Sequence, residues 1–157
     1  AVFLDFLWDR NAAQSAIRAA TQSLTGRHRL RVHLSGSGCI SADVGTMPET
    51  PPRPLPVRLA SQPVSSRDPF LFHKTTHREV YEAARAAAPD VFDVLLWNER
   101  HELTEFTIGN VVVELDGQRY TPPLASGLLA GVFRGELLRT GAVTERRLTL
   151  EDLQRAS

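Results

Sequence analysis

Residues 46–56 hold five prolines in eleven positions, and this run limits the possible folds more than any other part of the sequence. Proline fixes φ and has no backbone N–H, so neither a helix nor a central strand can pass through the segment. An extended polyproline connector is the expected structure. We therefore predict a small N-terminal α/β part over 1–45, a linker over 46–56 and a C-terminal domain over 57–157. A long crossing loop inside one domain is the alternative.

Hydrophobic periodicities on both sides of the linker predict a mixed α and β chain. Before the linker, Asp9 or Asn11 caps a helix over 12–24, and alternating segments at 30–34 and 40–44 form a strand pair. After it, we predict strands at 57–64, 91–97 (buried on both faces), 107–115, 118–121 and 143–148, and helices at 75–88, at 132–139 and from 149 onward. The inward face of the helix at 75–88 is predicted to hold Val80, Ala83, Ala84 and Ala87. Asp116-Gly117 is a two-residue hairpin turn.

The composition excludes several classes of protein. The 157 residues carry 18 basic and 18 acidic side chains, so the chain lacks the basic surface of a nucleic-acid-binding protein. The sequence contains no apolar run near the roughly 18–20 residues of a membrane span. Cys39 is the one cysteine, which rules out an internal disulfide and favours a cytoplasmic location. The chain starts in an apolar run without methionine, and we expect it to be cut from a longer one.

Lys74 is the one lysine among seventeen arginines. Lysine, unlike arginine, can form a Schiff base with an aldehyde. Its predicted position is the junction between an extended segment and a helix N-terminus, where desolvation and the helix dipole disfavour an ammonium. A more available free amine is the expected consequence. An ordinary exposed loop lysine is the alternative.

Two further segments carry possible chemistry. Glu105 lies among apolar or small neighbours, and a carboxylate there could pair with a pyridine nitrogen and keep it protonated. Gly131 opens a helix after a loop rich in proline and glycine, so the amides of Val132 and Phe133 form a possible anion site. A surface glutamate and an ordinary loop-to-helix entry are the alternatives.

Metal chemistry has weaker support in the sequence. His73 and His77 are four residues apart and could supply half of a zinc site. The sequence offers no third ligand cluster beside them, so we predict no metal. Cys39 lies in a strand-like run and is interpreted as a packed small side chain.

Taken together and in this order, the segments resemble the class IV aminotransferase family, which comprises the fold-type IV pyridoxal-phosphate enzymes. The similarity is carried by Phe72-His73-Lys74-Thr75-Thr76 with Arg78-Glu79 and Tyr81, by Asp93-Val94-Leu95-Leu96-Trp97-Asn98-Glu99, by Thr104-Glu105 and Asn110, and by Thr121-Pro122-Pro123-Leu124 leading to Gly131, Phe133 and Arg134. It runs from about residue 57 to the end and more loosely back to residue 1. The pattern is most similar to the aminodeoxychorismate lyase domain fused to para-aminobenzoate synthase component I.

The resemblance implies a D-amino-acid aminotransferase-like fold, truncated at the N-terminus. In it, 1–45 are the remainder of a small α/β domain and 57–157 form a C-terminal pseudo-barrel domain that binds pyridoxal 5′-phosphate. The resemblance also assigns the site residues. Lys74 is the catalytic Schiff-base lysine and Glu105 contacts the ring nitrogen. Leu129 packs on the ring, and the cofactor phosphate is held by the amides of Val132 and Phe133 with Thr107 and Ile108 nearby.

The implied reaction converts 4-amino-4-deoxychorismate into 4-aminobenzoate and pyruvate, a step of folate biosynthesis. The alternatives are a class IV aminotransferase for branched-chain or D-amino acids and a truncated domain without catalysis. A homodimer is expected, as is a possible upstream fusion to a chorismate-binding synthase domain. Three departures from the family pattern are Phe106, Gly109 and Phe133, the last at a position where threonine often faces the phosphate.

Overall fold

The computed structural model describes residues 9–49 and 51–156. Packing divides the chain into two compact units, with the division between Pro52 and Arg53. This division lies inside the proline-rich segment. The assignment of 1–45, 46–56 and 57–157 as functional domains stays a prediction.

Within residues 9–49, the N-terminal unit contains one helix and a two-stranded antiparallel sheet. Helix α1 (Arg10–Thr21) begins after Asp9, whose side chain accepts hydrogen bonds from two amides of the first turn. Strands β1 (His28–Leu34) and β2 (Ile40–Thr46) pair along their whole length. The predicted helix and strand pair are confirmed, although the helix ends at Thr21 rather than at residue 24.

The first sheet of the C-terminal unit has β4 (Asp93–Trp97) at its centre. Strand β3 (Val57–Leu59) pairs with it in parallel and β5 (Leu103–Phe106) pairs with it antiparallel. Successive side chains of a strand point to opposite faces. Accordingly, Val94 and Leu96 join one hydrophobic cluster and Leu95 joins another. The prediction that this strand is buried on both faces is confirmed.

The second sheet of this unit combines β6 (Val113–Leu115), β7 (Gln118–Thr121) and β8 (Thr144–Glu145). Asp116 and Gly117 have φ angles of 52° and 75°, so the predicted hairpin turn joins β6 to β7. The unit also contains α2 (Glu79–Ala86), α3 (Val132–Arg139) and α4 (Leu150–Gln154). The predicted mixed α and β class is therefore confirmed.

The predicted start of the helix after Lys74 is wrong. Helix α2 begins at Glu79, and its N-cap Arg78 makes no side-chain capping bond. The hydroxyl of Thr75 accepts a hydrogen bond from the His77 amide at 3.2 Å, so it closes a local turn instead of capping a helix. The predicted inward face is only half right. Val80 and Ala84 pack against the core as predicted. Ala83 and Ala87 are exposed, and Tyr81 and Ala88 are the buried residues instead.

Three predicted strands are shorter than expected. The strand at 57–64 ends at Leu59, and Val64 pairs again only through an isolated parallel bridge to Asn98. The run at 107–115 is not one strand, because the Phe106 amide bonds the Gly109 carbonyl at 2.8 Å and turns the chain. Only Val113–Leu115 remains as a strand there. Of residues 143–148, only Thr144–Glu145 form a strand, although the Arg146 N–H still donates to the Thr121 carbonyl at 3.0 Å.

Within 9–49 and 51–156, none of the helices combines the length and the apolar character needed to cross a membrane. The same residues bring together no group of three histidine, cysteine, aspartate or glutamate side chains suited to a metal ion.

Candidate active site

Glu105 is the buried carboxylate around which the candidate site is built. It lies on β5 and is 4% exposed. The Tyr81 hydroxyl donates to its Oε1 at 2.7 Å, and the Asn110 side-chain amide donates to its Oε2 at 3.2 Å. The backbone N–H of Leu129 is a further donor. The alternative of a surface glutamate is therefore wrong.

Burial dominates the electrostatics of Glu105. Desolvation raises the pKa of its carboxyl from 4.5 to about 7, although Tyr81, Leu129, Arg78 and Lys74 all act in the opposite direction. Removing an ionised carboxylate from water is costly, which is why the first effect outweighs the hydrogen bonds. Near neutral pH the group is thus poised between its charged and neutral forms.

Asn110 connects Glu105 to the loop that leads into α3. Its side-chain amide also donates to the Leu129 carbonyl at 2.9 Å. A Cβ atom added to Gly131 would lie 2.1 Å from the Asn110 Oδ1, so only glycine permits this close approach. Residues 129–131 are therefore held beside Glu105 through backbone and side-chain contacts together.

The N-terminus of α3 is suited to an anion. Its N-cap Gly131 offers no side-chain capping bond. The first amides of a helix have no acceptor within the helix, so those of Val132 and Phe133 are available to a ligand. Val132 is 92% exposed and Phe133 is 73% exposed. Buried Arg134 fixes the helix by donating to the Pro122 carbonyl at 2.7 Å.

Lys74 lies in the exposed loop before α2, five residues from the first residue of that helix. The expected junction with a helix N-terminus and the expected desolvation are both wrong. The ammonium nevertheless stands close enough to Glu105 to favour its ionised form. The loop itself is ordered by the turn at Thr75 and by the His77 ring, whose centroid lies 3.9 Å from that of Phe70.

Thr107 and Ile108 occupy different environments. Thr107 is 2% exposed, and both its hydroxyl and its amide donate to the Asp93 carboxylate. Its polar groups are thus used inside the fold. Ile108 is 63% exposed in the same turn. Of the two, only Ile108 stands where a ligand could reach it.

Three contributors to the site carry no predicted role. Tyr81 donates to Glu105, and Arg78 donates to the Thr107 carbonyl at 2.6 Å. The third is Asn110, which belongs to the sequence pattern that resembles the family but was given no role there. The signal for Tyr81 was its spacing, since it lies three residues before Ala84 on the buried side of the helix.

We expect Gly131→Ala to disturb this site. The new methyl group would displace the Asn110 side chain and loosen its bonds to Glu105 and Leu129. Overpacking of this kind costs about 1–3 kcal/mol. Gly135→Ala in the same helix is the matched control, because nothing lies within 4 Å of its added Cβ. Urea denaturation should show a lower free energy of unfolding for the first variant only, and equal losses in both would contradict this account.

Comparison with known proteins gives consistent matches. The sequence profile of the family described as "Amino-transferase class IV" matches residues 1–157. A fission yeast protein (Schizosaccharomyces pombe) named "Putative aminodeoxychorismate lyase" is 34% identical over 137 residues, which cover 84% of this chain. The chain spans 59% of the length of that relative.

Solved structures share the fold. A "Putative amino-acid aminotransferase" from Mesorhizobium loti superposes with a TM-score of 0.88 at 33% identity, over 97% of this chain and 75% of its own. A "putative branched-chain amino acid aminotransferase" from Thermotoga maritima superposes with a TM-score of 0.76 at 25% identity, over 90% of this chain and 55% of its own. The fold expected from the sequence is therefore confirmed.

Proposed function

Because this chain belongs to the class IV aminotransferase family, we propose that it holds pyridoxal 5′-phosphate and converts 4-amino-4-deoxychorismate into 4-aminobenzoate and pyruvate. The family is dependent on this cofactor. The observation that carries the proposal is the buried Glu105 carboxylate, with the Lys74 ammonium in electrostatic reach and the α3 N-terminus tied to it through Asn110.

The donors and acceptors around Glu105 fit a pyridine nitrogen. An ionised carboxylate offers about four acceptor positions. Three donors of the described chain reach Glu105, namely the Tyr81 hydroxyl, the Asn110 side chain and the Leu129 amide. One position is left for a donor from a ligand. The Val132 and Phe133 amides provide a separate place for a phosphate.

Each proposed residue then has a defined task. Lys74 would hold the cofactor through its aldehyde and would carry the proton taken from the substrate carbon that bears the amino group. Glu105 orients the ring and holds a proton at its nitrogen. When bound, the cofactor supplies an electron sink for the electrons left on the substrate carbon. Leu129 would pack on the ring, and Ile108 would lie beside the phosphate.

The structure supports a smaller part for Thr107 than the sequence suggested. Its hydroxyl and amide already bond Asp93, so we propose that it fixes the 106–109 turn rather than donating to phosphate. Phe133 would likewise act through its amide, because its side chain has no polar group. Among the described residues, backbone N–H groups would then be the phosphate contacts.

Aminotransferase activity, within the same class IV family, is the second candidate function. The 33% identity to the Mesorhizobium loti protein, whose name specifies an amino-acid aminotransferase, favours it. Branched-chain and D-amino acids are the substrates to consider. The same lysine and glutamate serve both reactions, so the choice depends on groups that contact the substrate rather than the cofactor.

A homodimer, a cytoplasmic location and fusion to a chorismate-binding synthase domain are further parts of the proposal.

A direct assay separates the two candidates. We expect the purified full-length protein to release 4-aminobenzoate and pyruvate from 4-amino-4-deoxychorismate in equal amounts, without an added keto acid. The first product is followed by its fluorescence and the second with lactate dehydrogenase. Amino transfer from branched-chain or D-amino acids to 2-oxoglutarate is measured in parallel. Transfer without pyruvate release from the chorismate derivative would favour the aminotransferase.

A further inference from the structure

Tyr81 supplies the shortest hydrogen bond to Glu105. Its side chain belongs to the hydrophobic cluster with Leu71 and Leu96 and is 7% exposed. From this position the hydroxyl reaches Oε1 of Glu105 at 2.7 Å. Burial and the neighbouring carboxylate raise the pKa of the phenol far above its ordinary value, so Tyr81 remains a donor at all accessible pH values.

Arg78 lies over the ring of Tyr81. Its guanidinium carbon is 4.5 Å from the ring centroid, a distance suited to a cation–π contact. The same guanidinium donates to the Thr107 carbonyl at 2.6 Å, next to the turn that returns the chain to Asn110. Arg78 therefore holds the phenol ring on one side and the 106–109 turn on the other.

We propose that Tyr81, held in place by Arg78, is a positioning residue that fixes the orientation of the Glu105 carboxylate towards the cofactor ring nitrogen. The inference rests on the proposed function and extends it to two residues without an assigned role. A carboxylate can rotate about its side-chain bonds. Its free acceptor position points in a fixed direction only if hydrogen bonds to its other positions prevent this rotation. Tyr81 occupies the side of Oε1, while Asn110 occupies that of Oε2.

The alternative is a purely structural tyrosine, and Tyr81→Phe distinguishes the two. The variant retains the ring that packs in the core and removes only the hydroxyl. Loss of a donor to the ionised carboxylate should raise the titration midpoint of Glu105 by about one pH unit. The readout is the carbon-13 resonance of the Glu105 carboxyl in the cofactor-free full-length protein, assigned by its disappearance in Glu105→Gln. An unchanged midpoint overturns the proposal.

Tyr120→Phe is the matched control. It removes the hydroxyl that donates to Gln118 within β7, at a tyrosine unconnected with the site. We expect no shift of the Glu105 midpoint. An equal shift in both variants would mean that the effect is general and would overturn the proposal.

Arg78→Gln keeps the test valid if Tyr81→Phe fails to fold. Arg78 is half-buried at the start of α2, and its charge favours the ionised form of Glu105. Its removal should shift the Glu105 midpoint upward, by less than the loss of the hydroxyl. A midpoint that stays in place in Arg78→Gln overturns the proposal as well.

Cofactor binding provides a second, independent test of the proposal. We expect Tyr81→Phe to weaken pyridoxal-phosphate binding about tenfold, since a bond to a charged group is lost. The 1-deaza analogue, which has carbon in place of the ring nitrogen, should bind the wild type and the variant equally. Equal weakening for both ligands overturns the positioning role alone. Failure of the wild type to bind either ligand overturns the proposed function and, with it, this inference.

Discussion

A Lys74→Ala variant is expected to lose covalent cofactor attachment completely and to lose activity by a factor of about 10³ or more. Both proposed tasks of Lys74, bonding to the aldehyde and carrying the substrate proton, require its primary amine. Lys74→Arg should be equally inactive, because a guanidinium keeps the positive charge but cannot form the bond. The pair of variants thus separates nucleophilic chemistry from simple charge.

The measurement is borohydride reduction of the cofactor-bearing protein, followed by peptide mapping. The wild type should carry the reduced cofactor at Lys74, and both variants should remain unmodified. Lys74 is the one lysine in the 157 residues, so an Arg67→Lys variant is a useful control. It introduces a second exposed amine into the loop before Lys74. Reaction at residue 67 or persistent labelling of Lys74→Ala would contradict the assignment.

An exposed Lys74 changes the explanation of its reactivity. The expectation from sequence was an amine made reactive by burial and by a helix N-terminus. The structure supplies neither, because the turn at Thr75 delays the helix to Glu79. We infer that reactivity depends on placement, with the cofactor ring oriented by Glu105 so that its aldehyde faces Lys74.

Local signals allowed much of the fold to be predicted. The hairpin at Asp116-Gly117, the helix after Gly131 and the helix after Thr149 all rest on residues whose backbone preferences are strong and nearby. At Thr149 the hydroxyl and the Asp152 carboxylate form a complete capping box. Such features depend on a few adjacent residues, so sequence alone is enough.

Features set by distant contacts could not be predicted in the same way. Residues 107–115 have the composition of a strand, and only the bond from Phe106 to Gly109 together with the Asn110 contacts shows that the chain turns. The donation from Tyr81 to Glu105 joins residues 24 positions apart. The hydrophobic pattern could place Tyr81 in a core, but it contains no information on which buried acceptor its hydroxyl meets.

Glu105→Gln is the second variant for which we expect a large effect, and its first consequence is on stability. In the cofactor-free protein, the folded state keeps a proton on Glu105 up to pH about 7, whereas the unfolded state releases it near pH 4.5. The free energy of unfolding should therefore contain a contribution that is complete below pH 4.5 and lost as pH rises to 7. The contribution is about 3 kcal/mol.

The comparison with Glu105→Gln isolates this contribution, because glutamine does not titrate. Between pH 4.5 and 7, the wild type should lose stability relative to the variant, as measured by urea denaturation at each pH. Glu99 and Glu102 do not interfere, since their pKa values are lowered to about 2 and act on stability only at more acidic pH. Parallel pH profiles for the wild type and Glu105→Gln would contradict a buried, titrating Glu105.

The larger consequence of Glu105→Gln is on catalysis. Glutamine has nearly the same shape but cannot keep a proton on the ring nitrogen, so the electron sink is weakened while the cofactor still binds at Lys74. We expect kcat to fall by about 10²–10³ with covalent attachment retained, in contrast to Lys74→Ala. Glu82→Gln, on the exposed side of α2, is the control and should keep full activity. If kcat is unchanged in Glu105→Gln, the carboxylate is a structural group, and the ring nitrogen must be met by another side chain.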